Sequence, residues 1–233
     1  MARFLKRVRV DGAPAGWPFD LPAVQALGEL RFDAPATFLV GENGVGKSTV
    51  IEGLAMAAGL NAHGGSSNLR TRGYGTESPL HEQLVLSWER RPQRDFFLRA
   101  ETFLDAVTAY DSLGTKYAGL TQLSHGESVV GLLTRMTGAG LLLLADEPEA
   151  GLSVTGQLAV LRRLYELVEE GAQIVCATHS PILPVLPGAR VYELHDEGAD
   201  EVPWDDTDAV AVLRSFLNNP GNYLRRLLGD DDD

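Results

Sequence analysis

The run Gly41-Glu42-Asn43-Gly44-Val45-Gly46-Lys47-Ser48, followed by Thr49, has the residue types and spacing needed to hold phosphate. Glycines let successive backbone N–H groups turn inward, and a helix starting there adds the partial positive charge of its N-terminus. Lys47 can then reach the β- and γ-phosphates of a nucleotide, and the Ser48 hydroxyl can ligate Mg²⁺. The run obeys the Walker A pattern without a gap and falls between an apolar stretch, 37–40, and a helix-forming one, 47–60. A glycine-rich turn without a ligand is the alternative, and the lysine, the serine and both flanking elements weigh against it.

Such a site needs a carboxylate for its metal, carried on a buried strand. Leu141-Leu142-Leu143-Leu144-Ala145-Asp146-Glu147-Pro148 offers one. Asp146 is expected to hold Mg²⁺, directly or through water, with Glu147 facing the γ-phosphate as a general base for an attacking water. The competing role for this acidic pair, a helix cap after a core strand, loses weight downstream of a phosphate loop.

Three further segments stand in order around this strand: Leu123-Ser124-His125-Gly126-Glu127, Glu149-Ala150-Gly151-Leu152-Ser153 and Thr178-His179-Ser180. With the two motifs above they resemble the motif set of ATP-binding-cassette (ABC) ATPases over residues 40–180. The resemblance implies an ATP·Mg²⁺ site held by Gly41 to Thr49, with Ser48 and Asp146 on the metal. It makes Glu147 and His179 the catalytic pair, His179 being the switch histidine. It makes Ser124, Gly126 and Glu127 a signature that caps the γ-phosphate held by a second copy, so one chain is an incomplete enzyme. Residues 149–153 become the D-loop. The sequence departs from the family at His125, where a glycine is usual, and in lacking a glutamine between Walker A and signature. Glu101 is the substitute expected there, as a contact to Mg²⁺ or the attacking water, with a surface glutamate nearly as good a reading.

The elements that must position these groups follow from apolar patterning. Strands are expected at 4–10, 29–32, 37–40, 141–145, 174–178 and 190–194, and a hairpin of 84–88 with 96–100 turning at 90–95. Helices are expected at 47–60, 103–110, 126–136, 154–170, 208–217 and 223–228, with loops at 12–28 and a mobile one at 61–79. This order predicts an α/β P-loop NTPase fold: a mixed, ABC-like sheet with an N-terminal antiparallel part and a short helical subdomain. One domain is expected over 1–229, followed by an acidic tail at 230–233. Between Glu101 and Ser124 there is little room for the larger helical subdomain of transporter subunits, and no heptads exist to make coiled-coil arms. The chain is therefore most similar to the armless SMC, RecF and OLD group of heads, which implies DNA repair or phage defence; an ATP-binding subunit of an ABC transporter is the alternative.

Composition narrows the partners. The 233 residues carry 20 basic and 32 acidic side chains, a net −12, which excludes a general nucleic-acid coat. Arg70, Arg72, Arg90, Arg91 and Arg94 remain a candidate basic rim for DNA, with solvated turn charges the plainer reading. Trp17, Trp88 and Trp204 stack on adenine or fill the core. A single cysteine, Cys176, excludes a disulfide framework. No apolar run approaches the ~20 residues of a membrane helix, and the charged start lacks a signal peptide, so a cytoplasmic, ATP-dependent homodimer is expected.

Overall fold

The computed structural model describes residues 3–12, 14–28, 30–67 and 78–229. A six-stranded sheet runs in the order β4 (Arg94–Arg99), β5 (Leu141–Asp146), β6 (Gln173–Ala177), β2 (Ala36–Gly41), β7 (Arg190–His195) and β8 (Gly198–Glu201). The first five are parallel, and β8 closes antiparallel on β7. A separate antiparallel ribbon joins β1 (Leu5–Val10) to β3 (Leu84–Trp88). Helices α1 (Pro22–Gln25), α2 (Lys47–Ala57), α3 (Phe103–Ser112), α4 (His125–Thr134), α5 (Val154–Glu169), α6 (Asp208–Asn218) and α7 (Pro220–Leu228) complete the chain.

The unbroken apolar run of β5 has a simple cause: every residue of the strand is buried. Leu142 and Leu144 pack with Leu39, Val175, Ile51 and Leu54 on the α2 side. Leu141, Leu143 and Ala145 pack with Phe38, Leu132, Val160 and Leu164 on the α4–α5 side. A strand covered on both faces has no use for polar alternation. Cys176, in β6, lies in the second layer and is fully buried, and burial pushes its thiol well above the ordinary value. Among the described residues no helix is long and apolar enough to cross a membrane.

Two expectations are corrected. Segments 84–88 and 96–100 do not form a hairpin. β3 leaves to pair with β1, while β4 enters the main sheet beside β5. Gln93 and Arg94 both donate to the Gly140 carbonyl, at 2.9 and 3.0 Å, which starts the parallel register. Phe96 and Phe97 then fill opposite layers, as only a two-sided strand can. Residues 30–32 also do not form a strand. Arg31 makes one isolated bridge to Arg7, and its own N–H donates to the Tyr192 hydroxyl.

Finer structure departs in smaller ways. The loop at 12–28 contains α1 and a 3₁₀ turn, and β8 had no forecast. Gly65 bridges to Phe97 and covers the open edge of β4. Of the loop expected at 61–79, residues 68–77 lie outside the described residues, as does the acidic tail.

Gln173 ties the ribbon to the sheet. Its Oε1 accepts from the Phe4 and Leu5 amides, both at 2.8 Å, and its Nε2 donates to the carbonyls of Leu5, at 2.9 Å, and Phe32. The side chain is fully buried, so it replaces water for four backbone groups. Leaving a buried amide unpaired costs about 1–3 kcal/mol. Gln173→Leu should therefore lose about 3 kcal/mol or more in urea unfolding; a loss below ~1 kcal/mol would show the ribbon to be held by its apolar contacts alone.

Candidate nucleotide site

β2 ends at Gly41 and α2 begins at Lys47, so the phosphate loop sits between the strand and the helix that its pattern demands. Gly41 has φ of 132°, and a Cβ there would lie 2.2 Å from the Leu194 carbonyl oxygen. Gly46, at φ 102°, is the N-cap of α2 and leaves the first amides without a side-chain acceptor. Lys47 folds back over the loop, its Nζ donating to the carbonyls of Gly41 at 2.8 Å and Glu42 at 2.7 Å. Only 4% of the residue is exposed. Burial lowers its pKa, opposed by the charges of Glu147, Asp146, Glu42 and Glu149.

Asp146 ends β5, also 4% exposed. Burial pushes its carboxyl up to about 6, against the pull of a hydrogen bond with Ser48 and the Arg99 charge, with Glu147 and Glu101 adding to the rise. Its Oδ1 is buried without a hydrogen-bond partner. An orphaned carboxylate oxygen beside the Ser48 hydroxyl suits Mg²⁺, which binds through one or two protein oxygens plus phosphates and water.

Glu147 is the one non-glycine with positive φ, 50°, among the described residues. Its amide donates to the Ala177 carbonyl at 2.9 Å, so the strand pairing continues while the left-handed turn re-aims the side chain. Glu147 Oε1 then lies 3.4 Å from His179 Nε2, with both side chains open to solvent by more than a third. The two groups expected to act on water and γ-phosphate are thus neighbours.

Ser124, Gly126 and Glu127 form a second group. Ser124 caps α4 in a reciprocal box: its Oγ accepts the Glu127 amide at 3.4 Å, while its own amide donates to Glu127 Oε2 at 3.0 Å, and its Oγ reaches the same oxygen at 2.6 Å. The side-chain and backbone bonds from Ser124 to the carboxylate hold it below its ordinary range. A Cβ on Gly126 would meet Leu152 at 3.0 Å, so the 124–127 segment packs directly on residues 149–153. His125 sets its edge against Phe103 at 5.5 Å. The signature's exposed cap faces solvent with a helix N-terminus behind it.

Glu101 follows β4, exposed, and binds Arg99 at 3.1 Å. Arg99 also reaches Glu52 at 2.5 Å and approaches Asp146 at 4.0 Å. Arg99 and Glu52 were not foreseen, because 47 residues separate them. Nor was Glu149, whose carboxylate binds Thr178, His179 and Ser180. Its proline-flanked position after Asp146 and Glu147 was the available signal.

Of the tryptophans, Trp204 donates to the Pro181 carbonyl at 2.7 Å, Trp88 packs against the α2-side core, and Trp17 is 60% exposed. Arg90 lies over Phe4, Arg91 over Trp88, and Arg94 donates to Ala139, so each has a local role. Arg70 and Arg72 lie outside the described residues. A cavity of about 700 Å³ opens beside Glu42 and His179, walled by Val212, Leu213 and Phe216 of α6.

Residues 36–87 match a family model described as "AAA domain, putative AbiEii toxin, Type IV TA system". Two proteins named "Putative ABC transporter ATP-binding protein" are similar in part. That of Methanothermobacter marburgensis is 35% identical over 96 residues, 39% of this chain and 34% of the relative. That of Methanothermobacter thermautotrophicus is 30% identical over 143 residues, 57% of this chain and 49% of the relative. This chain thus spans about a third to a half of these curated relatives. The solved structure of cbiO1 from Clostridium perfringens, part of the ABC transporter complex cbiONQ, superposes with TM-score 0.50 at 16% identity, covering 93% of this chain and 96% of that one. The fold is that of an ABC-type P-loop ATPase domain.

Asp146 makes the site's electrostatics measurable. Its folded pKa, about 6, exceeds the ordinary value near 3.8, so the native state holds the proton more tightly than the unfolded chain does. Stability contributed by that proton is therefore present at low pH and lost as pH rises through about 6. With EDTA present, Asp146→Asn should raise stability at pH 8 by roughly 1–3 kcal/mol and change it little near pH 4. Equal effects at both pH values in urea unfolding would assign the change to packing.

Proposed function

We propose that this chain is an ATP-hydrolysing ABC-type ATPase unit, a single domain over 1–229, that closes head to tail on a second copy around two ATP·Mg²⁺. The 3.4 Å pairing of Glu147 with His179 at the mouth of the phosphate loop carries this reading. Lys47 and the α2 N-terminus hold the β- and γ-phosphates, for which Lys47 exchanges its two carbonyl partners. Ser48 and Asp146 would hold Mg²⁺, which would supply charge neutralisation to the phosphates. Glu147 accepts the proton of the attacking water, and His179 donates a hydrogen bond to the γ-phosphate as charge develops there. Ser124 and the Gly126 amide of the second copy cap that phosphate. Glu101 orients the water network from the end of β4.

The relatives' names favour a transport role, in which this unit drives a membrane partner from the cytoplasm. A second reading is a stand-alone head similar to the SMC, RecF and OLD group, acting on DNA or on a protein in repair or phage defence. One observation favours it: between β4 and α4 there is one helix, α3, and a 3₁₀ turn, in place of the larger subdomain that docks transporter subunits on their permease. The family description, naming an AbiEii toxin, points the same way. Phosphate release with and without duplex, single-stranded and end-containing DNA separates the two, stimulation favouring the stand-alone head and recovery with a permease the transporter.

Lys47→Ala should weaken ATP binding by about 100-fold or more, since it removes charged hydrogen bonds worth ~1.5–3 kcal/mol each. Unchanged affinity in a titration would remove this loop from the site. Glu147→Gln should bind ATP yet lower turnover by about 100-fold, because the general base is gone. Trapped ATP should hold that variant at twice the chain mass in light scattering, with ADP leaving single chains. A variant that stays single with ATP bound would defeat the head-to-tail mechanism.

A further inference from the structure

β6 ends at Ala177, and His179 follows in a loop pinned at its two sides, the Thr178 amide donating to the Leu39 carbonyl of β2 at 3.1 Å and Ser180 Oγ to Gln157 of α5 at 2.7 Å. Between these points one carboxylate gathers the turn. Glu149, 8% exposed, accepts three hydrogen bonds on a single oxygen: from Thr178 Oγ1 at 2.6 Å, the His179 amide at 2.8 Å and the Ser180 amide at 3.0 Å. Successive amides turned on one point form an anion nest, and here the anion belongs to the protein. The other oxygen, Oε2, is buried without a hydrogen-bond partner, so the three bonds to the loop are what holds the carboxylate in place.

The same residue is built into the D-loop. The Ala150 amide donates to the Glu147 carbonyl and the Leu152 amide to the Glu149 carbonyl, both at 2.9 Å, and Ser153 then caps α5. The turn that aims Glu147 and the bond network that holds the backbone of His179 are thus one structure. Gly126 packs on Leu152, which joins the signature to that structure as well.

We infer that Glu149 is a positioning residue for the proposed ATPase reaction, fixing His179 against Glu147 and coupling the D-loop to the switch histidine. This inference rests on the ATPase reading above. The Glu149 carboxylate is spent on the loop's own donors, so it acts through His179.

The test uses the full chain with Glu149→Ala, Glu149→Gln, His179→Ala and the double variant Glu149→Ala/His179→Ala. Glutamine keeps an acceptor oxygen for all three donors; alanine keeps none. Glu149→Ala should lower kcat about 10- to 100-fold, the scale of a misplaced catalytic group, with KM for ATP unchanged. Glu149→Gln should restore turnover to within a fewfold of wild type. In the His179→Ala background the further loss from Glu149→Ala should fall below twofold, because both act through the same side chain. Amide hydrogen exchange at His179 and Ser180 should quicken at least tenfold in Glu149→Ala and stay near wild type in Glu149→Gln.

Equal kcat in Glu149→Ala and wild type, or fully multiplicative losses in the double variant, would overturn the inference. So would an exchange increase spread over the whole sheet, which marks a structural loss. Wild-type protein that releases no phosphate, yet shows the local exchange difference, overturns the ATPase reading and leaves Glu149 as the residue that orders the switch loop.

Discussion

Strands that end level are the constraint on which the rest depends. Arg99 pairs with Asp146, Asp146 with Ala177, Leu39 with Ala177 and Gly41 with Leu194. Parallel register therefore delivers a guanidinium, a carboxylate, the switch loop and the phosphate loop to one edge of the sheet. A one-residue slip would exchange the two apolar layers as well as scatter the site, so packing and chemistry enforce the same alignment. Ligand sites in open α/β sheets lie beyond the carboxyl ends of their strands for this reason.

Charge is concentrated at that edge and only partly neutralised. Lys47 is buried against two carbonyls, Asp146 against Ser48 and Arg99, and Glu149 against three donors. Each ion is held by hydrogen bonds more than by a counter-ion in contact, which suits groups that must exchange partners when nucleotide arrives. Arg99 shares itself among Glu52, Glu101 and Asp146, so the β4 end is tied electrostatically to α2 and to the end of β5. The strain at Glu147 belongs to the same design: a left-handed turn aims a side chain that an ordinary strand end would leave pointing elsewhere.

What was legible in the sequence was whatever is contiguous. The phosphate loop, the apolar β5 with its acidic end and the α4 cap are each written within ten residues, and the phosphate loop and the α4 cap also bond within themselves. Helix and strand positions followed from period alone, so α2, α5, β5 and β6 lie where patterning put them. Pairing was not legible. Residues 84–88 and 96–100 look like a hairpin because the turn between them is polar, yet Gly140 and the ribbon partner β1 decide their directions. Glu149 could be placed at the head of the 149–153 segment, whereas its three bonds needed coordinates, because the donors stand about thirty residues away. Glu101 could be placed at the strand end, whereas its bond to Arg99 needed coordinates.

The Gln173 tether has a consequence for biosynthesis. Phe4 and Leu5 wait for a partner 169 and 168 residues later in the chain. At ribosomal speeds of roughly 5–20 residues per second, that interval is about 10–30 s. The central strand β2 is in the same position, since both its neighbours, β6 and β7, emerge late. Throughout that delay an apolar N-terminal third has local partners only, the situation in which nascent chains recruit chaperones. Docking of the ribbon is therefore a late step of synthesis, and it comes only when the strand carrying the switch loop has left the ribosome.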